Sequence, residues 1–296
     1  MPLSCMSVPA LERERPRKAA TDVEVFPART PTLLPATHTN SYALGSREIL
    51  LVEPATPYLH EQREWLAWAE GLRATGRVLR GIFVTHHHVD HVGGAAVLSG
   101  ALGVPLLAHA ATAARADLPN VELLGEGARL VLDGPTPTAW RVLHTPGHAP
   151  GHLCLHEEDR GLLIVGDMVA SVGSILIAPG DGDMIAYLDQ LARLADLDAS
   201  VALPAHGEPI EGPRVLFEKY VQHRLMRERV VLDAVKIAGA SGARFEDVLP
   251  VAYADVPVAV LPIAALSLQA HLDKLLVEGR VREHEHRLFC VSEAVP

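Results

Sequence analysis

The sequence contains few cysteines: Cys5, Cys154 and Cys290 are the only ones in 296 residues, and no two of them form a CxxC pair. This spacing argues against a disulfide framework and is typical of a reducing compartment. The apolar runs have the length of strands and fall short of the roughly 20 residues of a membrane-spanning helix. The first residues, MPLSCMSVPALERERPRKAA, lack the apolar segment of an export signal. We therefore predict a cytoplasmic protein without a membrane partner.

The sequence also lacks an excess of basic charge. Its net charge is −10, and residues 213–296 carry as many acidic as basic residues. This balance argues against nucleic acid as a partner, although bound metal ions can reverse the potential of an acidic pocket. A modest basic patch is nevertheless expected along the start of the C-terminal region, from Arg214, Lys219, Arg224, Arg227 and Arg229.

Residues 21–212 show a pattern that predicts an α/β domain. Strand-like runs such as EILLVEP and RVLRGIFVT alternate with helical periodicity over 57–75, 92–102 and 184–196. Further strands are expected at 128–132, 139–144, 152–156, 161–165 and 200–203, which suggests two sheets. Residues 1–30 are rich in Pro and Arg and lack periodicity, so we predict that residues 1–20 form a mobile tail.

Residues 213–296 form a second unit with its own pattern. A long helix over 214–238 is followed by two shorter helices and by VREHEHRLFCV, which alternates like two short strands. This order predicts a small winged-helix-like domain. In so acidic a chain, we expect it to shape substrate access and to contribute to a homodimer rather than to bind DNA.

Imidazole and carboxylate side chains follow four of the predicted strands. Because strand ends of α/β proteins direct side chains into a shared crevice, we expect these groups to meet. Neutral imidazoles and carboxylates suit Zn²⁺, and also iron or manganese. The candidate metal ligands are His86, His88, Asp90, His91, His148, Asp167 and His206.

Seven ligands suffice for two metal ions that share a carboxylate. Two ions about 3.5–4 Å apart lower the pKa of a bridging water toward about 7, and so produce hydroxide at neutral pH. We therefore predict a two-zinc hydrolase in which Asp90 and Asp167 serve catalysis as well as metal binding. A set that leaves coordination positions open favours catalysis over a structural zinc site, a sensor or a scaffold.

The motifs H-x-H-x-D-H at 86–91, TPGH at 145–148, GD at 166–167 and PAHG at 204–207 together resemble the metallo-β-lactamase superfamily. The resemblance covers roughly residues 30–212 and implies an αββα sandwich with the metals at one edge of its sheets. It assigns the first metal to His86, His88 and His148, and the second to Asp90, His91 and His206, with Asp167 as the bridge. An aspartate at the bridge, where common zinc β-lactamases have cysteine, argues against an antibiotic hydrolase.

The combination of this domain with a winged-helix-like one is similar to the β-lactamase-like protein 2 subfamily, in which it implies cleavage of single-stranded RNA. Glyoxalase II shares the metal motifs and implies a small thioester as the substrate. Persulfide dioxygenases share much of the pattern with a single iron. We therefore predict a metal-dependent hydrolase with single-stranded RNA as the first candidate substrate and a small ester or thioester as the second.

For other polar residues near these motifs, the sequence leaves both a structural and a functional role open. His152 either supports the metal loop or packs in the core, and Asn40 and Tyr42 either touch substrate or stabilise a strand. His87 is not a ligand in the family pattern, and we expect it to be exposed.

Overall fold

The computed structural model describes residues 15–291 of the chain. Its strands are β1 (Arg17–Ala20), β2 (Val23–Arg29), β3 (His38–Leu44), β4 (Glu48–Val52), β5 (Val78–Phe83), β6 (Leu106–Ala108), β7 (Val121–Leu123), β8 (Arg129–Leu132), β9 (Thr138–His144), β10 (Leu153–Glu157), β11 (Leu162–Gly166), β12 (Val201–Pro204), β13 (Ile210–Glu211), β14 (Val281–His284) and β15 (Arg287–Cys290). Its α-helices are α1 (Leu59–Ala74), α2 (Val89–Val92), α3 (Ala95–Leu102), α4 (Ala110–Arg115), α5 (Met184–Ala195), α6 (Arg214–Ile237), α7 (Phe245–Ala252) and α8 (Leu261–Val277).

Two large sheets build the first domain. The first has seven strands in the order β1-β2-β3-β4-β5-β6-β7, and the second has six in the order β13-β12-β11-β10-β9-β8. Strands β4 to β7 pair in parallel, as do β11 and β12. The carboxyl ends of these parallel strands therefore lie at one edge of each sheet, where ligand sites form in α/β folds.

Apolar side chains form three layers that hold the sheets and helices together. Between the sheets, residues such as Tyr42, Phe83 and Trp140 are fully buried. Trp65 of α1 packs with the outer face of the first sheet, and Tyr187 of α5 with that of the second. The predicted αββα sandwich is confirmed.

The start of the chain differs from the prediction. The tail predicted for residues 1–20 is wrong at its end, because β1 pairs antiparallel with β2 as the edge of the first sheet. Residues 1–14, with Cys5, lie outside the described residues. Charge and burial hold strands β1 and β2 in place. Arg15 binds the carboxylates of Glu61 and Glu64, and Val25 of β2 is buried between the sheets. Neither the ion pairs of Arg15 nor the burial of Val25 can be predicted from hydrophobic periodicity.

The C-terminal residues form the predicted winged-helix-like unit. Helices α6, α7 and α8 surround a core that includes Val231, Leu268 and Leu272, and the hairpin β14–β15 closes it. The segment Val258–Val277 is long and apolar enough to cross a membrane by length and composition, but α8 within it supplies buried core residues. Helix α6 joins the two units, since Phe217 near its start packs on the second sheet.

Candidate metal centre

The seven candidate ligands meet at the edge where the parallel strands end. His86, His88, Asp90 and His91 lie on the segment from β5 into α2. His148 follows β9, Asp167 follows β11 and His206 follows β12, so that both sheets contribute. Most of these side chains are buried, among them His86, His91, His148, Asp167 and His206.

The first triad consists of His86, His88 and His148. The Nε2 atom of His86 lies 2.9 Å from Nδ1 of His88 and 3.1 Å from Nε2 of His148, and the last two nitrogens are 3.0 Å apart. Three nitrogens bound to one tetrahedral zinc would lie about 3.3 Å apart, given Zn–N distances of about 2.0–2.1 Å. The triad therefore fits one metal ion with little adjustment.

The second triad consists of Asp90, His91 and His206. The Oδ2 atom of Asp90 lies 3.6 Å from Nε2 of His206 and 3.9 Å from Nε2 of His91. One ligand atom from each of the three lies within 4.8 Å of the others. This spacing is wider than in the first triad but still suits a single ion.

Asp167 lies between the two triads. Its Oδ2 is 3.5 Å from Nε2 of His148, whereas its Oδ1 is 3.3 Å from Nε2 of His206 and 3.6 Å from Nε2 of His91. Oδ1 of Asp167 and Nε2 of His91 are buried and have no hydrogen-bond partner among residues 15–291. Buried polar atoms without partners cost free energy, and a metal ion between them would satisfy both. The residues therefore fit two metal ions with a shared carboxylate; that they bind metal stays a prediction.

Each imidazole of the two triads is oriented by a contact at its other nitrogen. Such contacts fix the tautomer and the ring plane of a metal-binding histidine. The partners are Thr85 Oγ1 for His86 (2.9 Å), Asp181 Oδ2 for His88 (2.7 Å), Glu53 Oε1 for His91 (3.2 Å), the Leu176 carbonyl for His148 (2.8 Å) and the His38 carbonyl for His206 (3.0 Å).

The two triads differ in their electrostatics. Burial lowers the pKa of His86 well below its ordinary value and that of His148 to about 4, so both are neutral at pH 7. Burial also acts to lower the pKa of His91, but the carboxylates of Glu53, Asp167 and Asp90 raise it well above the ordinary value. Burial acts on His206 in the same way, but Asp167 outweighs it, so the pKa of His206 is likewise raised.

Glu53 and Asp181 are functional neighbours that the sequence analysis missed. Glu53 is buried at the end of β4, and its carboxylate contacts both His91 and the Thr85 hydroxyl. It carries the same signal as the ligands, a carboxylate directly after a strand. Asp181 lies in the loop before α5 and has no such signal, although its carboxylate contacts His88 and lies 3.2 Å from Arg115.

His152 supports the segment that carries the candidate ligand Asp167, because its Nε2 accepts a hydrogen bond from the backbone N–H of Asp167. Asn40 and Tyr42 are buried in β3, and both donate hydrogen bonds to the Pro204 carbonyl, just before His206. They therefore stabilise the loop that carries this ligand.

The prediction that His87 is exposed is wrong. Its side chain is only 14% exposed, and its Nε2 lies 3.3 Å from the Asp181 carboxylate. Asp181 also contacts His88, so one loop carboxylate binds both neighbouring imidazoles and keeps His87 away from solvent.

A cavity of about 330 Å³ opens over the metal centre. Its wall is formed mainly by residues 31–36 and 172–178, and it includes Leu33, Val172 and Leu176. No lysine or arginine lines this cavity in the described part of the chain. The cavity therefore has an apolar rim around a polar floor that contains candidate metal ligands.

Only part of the basic patch predicted along α6 is exposed, namely Arg214, Lys219 and Arg229. Arg224 and Arg227 are buried, and Arg227 makes a two-point ion pair with Asp255. Arg214 lies within ion-pair distance of Asp196 and Glu218. The positions of Arg224 and Arg227 on the helix direct both side chains toward the protein interior, which a count of basic residues does not reveal.

Comparison with known proteins identifies the family. The family described as "Metallo-beta-lactamase superfamily" matches residues 34–206, and the "Beta-lactamase associated winged helix domain" matches residues 245–287. The chain is 28% identical over 274 residues to "Beta-lactamase-like protein 2 homolog" of Drosophila melanogaster, an alignment that covers 85% of this chain and 87% of that protein.

Solved structures share the fold. A metallo-beta-lactamase family protein from Thermus thermophilus superimposes with a TM-score of 0.74 at 24% identity, over 92% of this chain and 99% of that one. TTHA1623, solved in a di-iron-bound form, gives a TM-score of 0.50 at 29% identity, over 65% of this chain and 97% of that one. The protein is thus a member of the metallo-β-lactamase superfamily that carries the winged helix domain associated with it.

Proposed function

We propose that this protein is a hydrolase that uses two metal ions. The observation that carries the proposal is the position of Asp167, which turns one carboxylate oxygen toward each of the two triads. A single-metal site would not need the second complete triad. Each triad would supply three unshared protein ligands, the number found in catalytic zinc sites, whereas a structural zinc site is closed by four.

Two divalent ions held by these residues would lower the pKa of a bound water so that hydroxide is available near neutral pH, and would stabilise negative charge on the attacked centre. The chain's own residues fix where this happens. His86 and His148 are neutral because burial lowers their pKa values, so their nitrogen lone pairs are available at pH 7. The surrounding partners hold the rings in place, which avoids reorganisation during the reaction.

Zinc is the proposed metal because imidazole-rich sites with carboxylates suit it. The di-iron form of TTHA1623 makes iron the alternative, and manganese also suits such ligands. Elemental analysis of purified protein should give close to two metal equivalents per chain. Full activity with one iron or less would contradict the proposal and favour a mono-iron dioxygenase.

The cavity favours a small ester or thioester with an apolar part as the substrate. Leu33 and Leu34 are 51% and 83% exposed at its rim, where they can cover an apolar group. RNA is the second candidate, implied by the resemblance to the β-lactamase-like protein 2 subfamily. Binding along an RNA backbone needs several Lys or Arg contacts. The described cavity wall provides none, and the burial of Arg224 and Arg227 leaves three exposed basic residues in the expected α6 patch.

One zinc-loaded sample can decide between the two substrates. We expect turnover of an acyl-glutathione thioester and little or none of a single-stranded oligoribonucleotide. His148→Ala should abolish turnover, whereas His286→Ala, on the exposed turn of the β14–β15 hairpin, should not change it. Turnover of the oligoribonucleotide alone, again lost in His148→Ala, would refute the thioester assignment and leave the two-metal hydrolase intact.

A non-catalytic sensor or scaffold would bind the metals without turning over any ester, thioester or RNA. The cytoplasmic location, the lack of a membrane partner and the homodimer stay predictions.

A further inference from the structure

Arg224 of α6 is a buried charged residue without a counter-ion. Its side chain is 4% exposed, and no carboxylate lies within ion-pair distance of it among residues 15–291. A buried guanidinium in this state costs free energy, so a role in packing alone does not explain it.

Two contacts hold the guanidinium group in place. It donates a hydrogen bond to the Ile175 carbonyl, and it lies over the ring of Tyr187, 5.7 Å from the ring centre. Ile175 belongs to the loop that walls the cavity, and Tyr187 belongs to α5. Arg224 thus connects the C-terminal unit with two segments of the first domain.

Both segments lead directly to the metal ligand His148. The residue after Ile175 is Leu176, whose carbonyl accepts the hydrogen bond from Nδ1 of His148 at 2.8 Å. On the other side, Tyr187 packs so closely on Gly147 that a Cβ atom there would lie 2.3 Å from the Tyr187 backbone. Arg224 therefore contacts two residues next to the surroundings of His148: Ile175, which precedes Leu176, and Tyr187, which packs on Gly147.

A second residue of α6 stabilises the same loop. The Tyr220 hydroxyl accepts a hydrogen bond from the Ala170 N–H at 3.2 Å and lies 3.3 Å from the Gly173 carbonyl, to which it can donate. Two side chains one helical turn apart therefore tie α6 to residues 170–175, which approach the cavity on one side and His148 on the other.

We propose that Arg224 is a positioning residue for His148, and that α6 is in this way part of the first metal site. The inference rests on the two-metal centre proposed above. Loss of the guanidinium frees the Ile175 carbonyl and the adjacent Leu176 carbonyl, so that the His148 ring loses its fixed orientation. The C-terminal unit then contributes to metal affinity, although none of its residues contacts a metal ligand directly in the described structure.

The test compares Arg224→Met with Arg229→Met in the full-length protein. Methionine keeps much of the arginine's volume but removes the donor, and Arg229 is exposed on the same helix, where it bonds only to the Leu225 carbonyl of its own helix. Each protein is titrated with Co²⁺ against a chelator, and the visible absorption spectrum and the thermal unfolding midpoint are recorded. For Arg224→Met we expect affinity at the tighter site to fall about tenfold, in the lower range for groups that orient metal ligands, together with a changed cobalt spectrum. Arg229→Met should match the wild type.

A lower unfolding midpoint with wild-type affinity and spectrum would show that Arg224 is merely structural, and would overturn the inference. If Arg224→Met does not fold, Arg224→Lys decides: the lysine keeps the charge but not the planar fork, so affinity should fall at least threefold, and wild-type affinity would overturn the inference. A wild-type protein that binds no Co²⁺ would refute the proposed function itself, and this inference with it.

Discussion

Glu53→Gln should weaken metal binding without changing any metal ligand. Glu53 is 1% exposed, and its Oε1 lies 3.2 Å from Nδ1 of His91. The same oxygen accepts a hydrogen bond from Thr85, whose hydroxyl also contacts His86. Glutamine keeps the shape and an acceptor oxygen but removes the negative charge. The second metal should be affected more than the first, because only His91 is contacted directly.

The size of the effect follows from the hydrogen bond to His91. A hydrogen bond to a charged group contributes about 1.5–3 kcal/mol, and a neutral one about 0.5–1.5 kcal/mol. The midpoints of these ranges differ by about 1.25 kcal/mol, which corresponds to a Kd roughly eightfold weaker for the second metal. Competition titration with a chelator measures this Kd, and Glu122→Gln, an exposed residue on β7, is the matched control. Affinities of Glu53→Gln within twofold of the wild type at both sites would refute the argument that Glu53 supports the metal centre.

Three further predictions concern the same centre. Asp167→Ala should lower metal content from two equivalents to one or less, since its two oxygens face different triads; full content by elemental analysis would show that the bridge is misassigned. Because the pKa values of His91 and His206 are raised, protons compete with metal at the second triad as pH falls toward and below 6.5, and the second equivalent should dissociate before the first in metal content measured against pH. Simultaneous loss of both equivalents would contradict this order. Gly147→Ala should destabilise the protein by about 1–3 kcal/mol in denaturant unfolding, because φ is +131° and the added Cβ would meet the Tyr187 backbone; unchanged stability would mean that this close approach relaxes freely.

Hydrophobic periodicity predicts most of the fold because the buried faces of its elements are regular. The helix expected over 214–238 is α6 at Arg214–Ile237, and the strand expected over 139–144 is β9 at Thr138–His144. The missed elements are short or atypical. Strand β2 contains Pro27, and β7 has three residues that are partly or fully exposed, so neither has the alternation that predicts a strand.

The site could be predicted in part because its candidate ligands directly follow strands. Groups that orient those ligands lack this regularity, since they approach from distant segments. Asp181 contacts His88 across 93 residues, and Arg224 reaches from the other domain to Ile175, next to the residue whose carbonyl contacts His148. The sequence suggests that Arg224 belongs to a surface patch, because the charge of a residue does not reveal which side of a helix it occupies.

The division of the ligands between the two sheets has a consequence for how the chain folds. His86 follows a strand of the first sheet and His148 a strand of the second, and 62 positions separate them. An ion held by both side chains acts as a cross-link between the halves of the sandwich, but it can form only after the sheets have docked. Metal uptake is then a late event in refolding, and its rate reports when the halves assemble. Once bound, the ion would stabilise the docked halves by a free energy that rises with the logarithm of the free metal concentration, so the supply of metal would set the fraction of chains that stay folded.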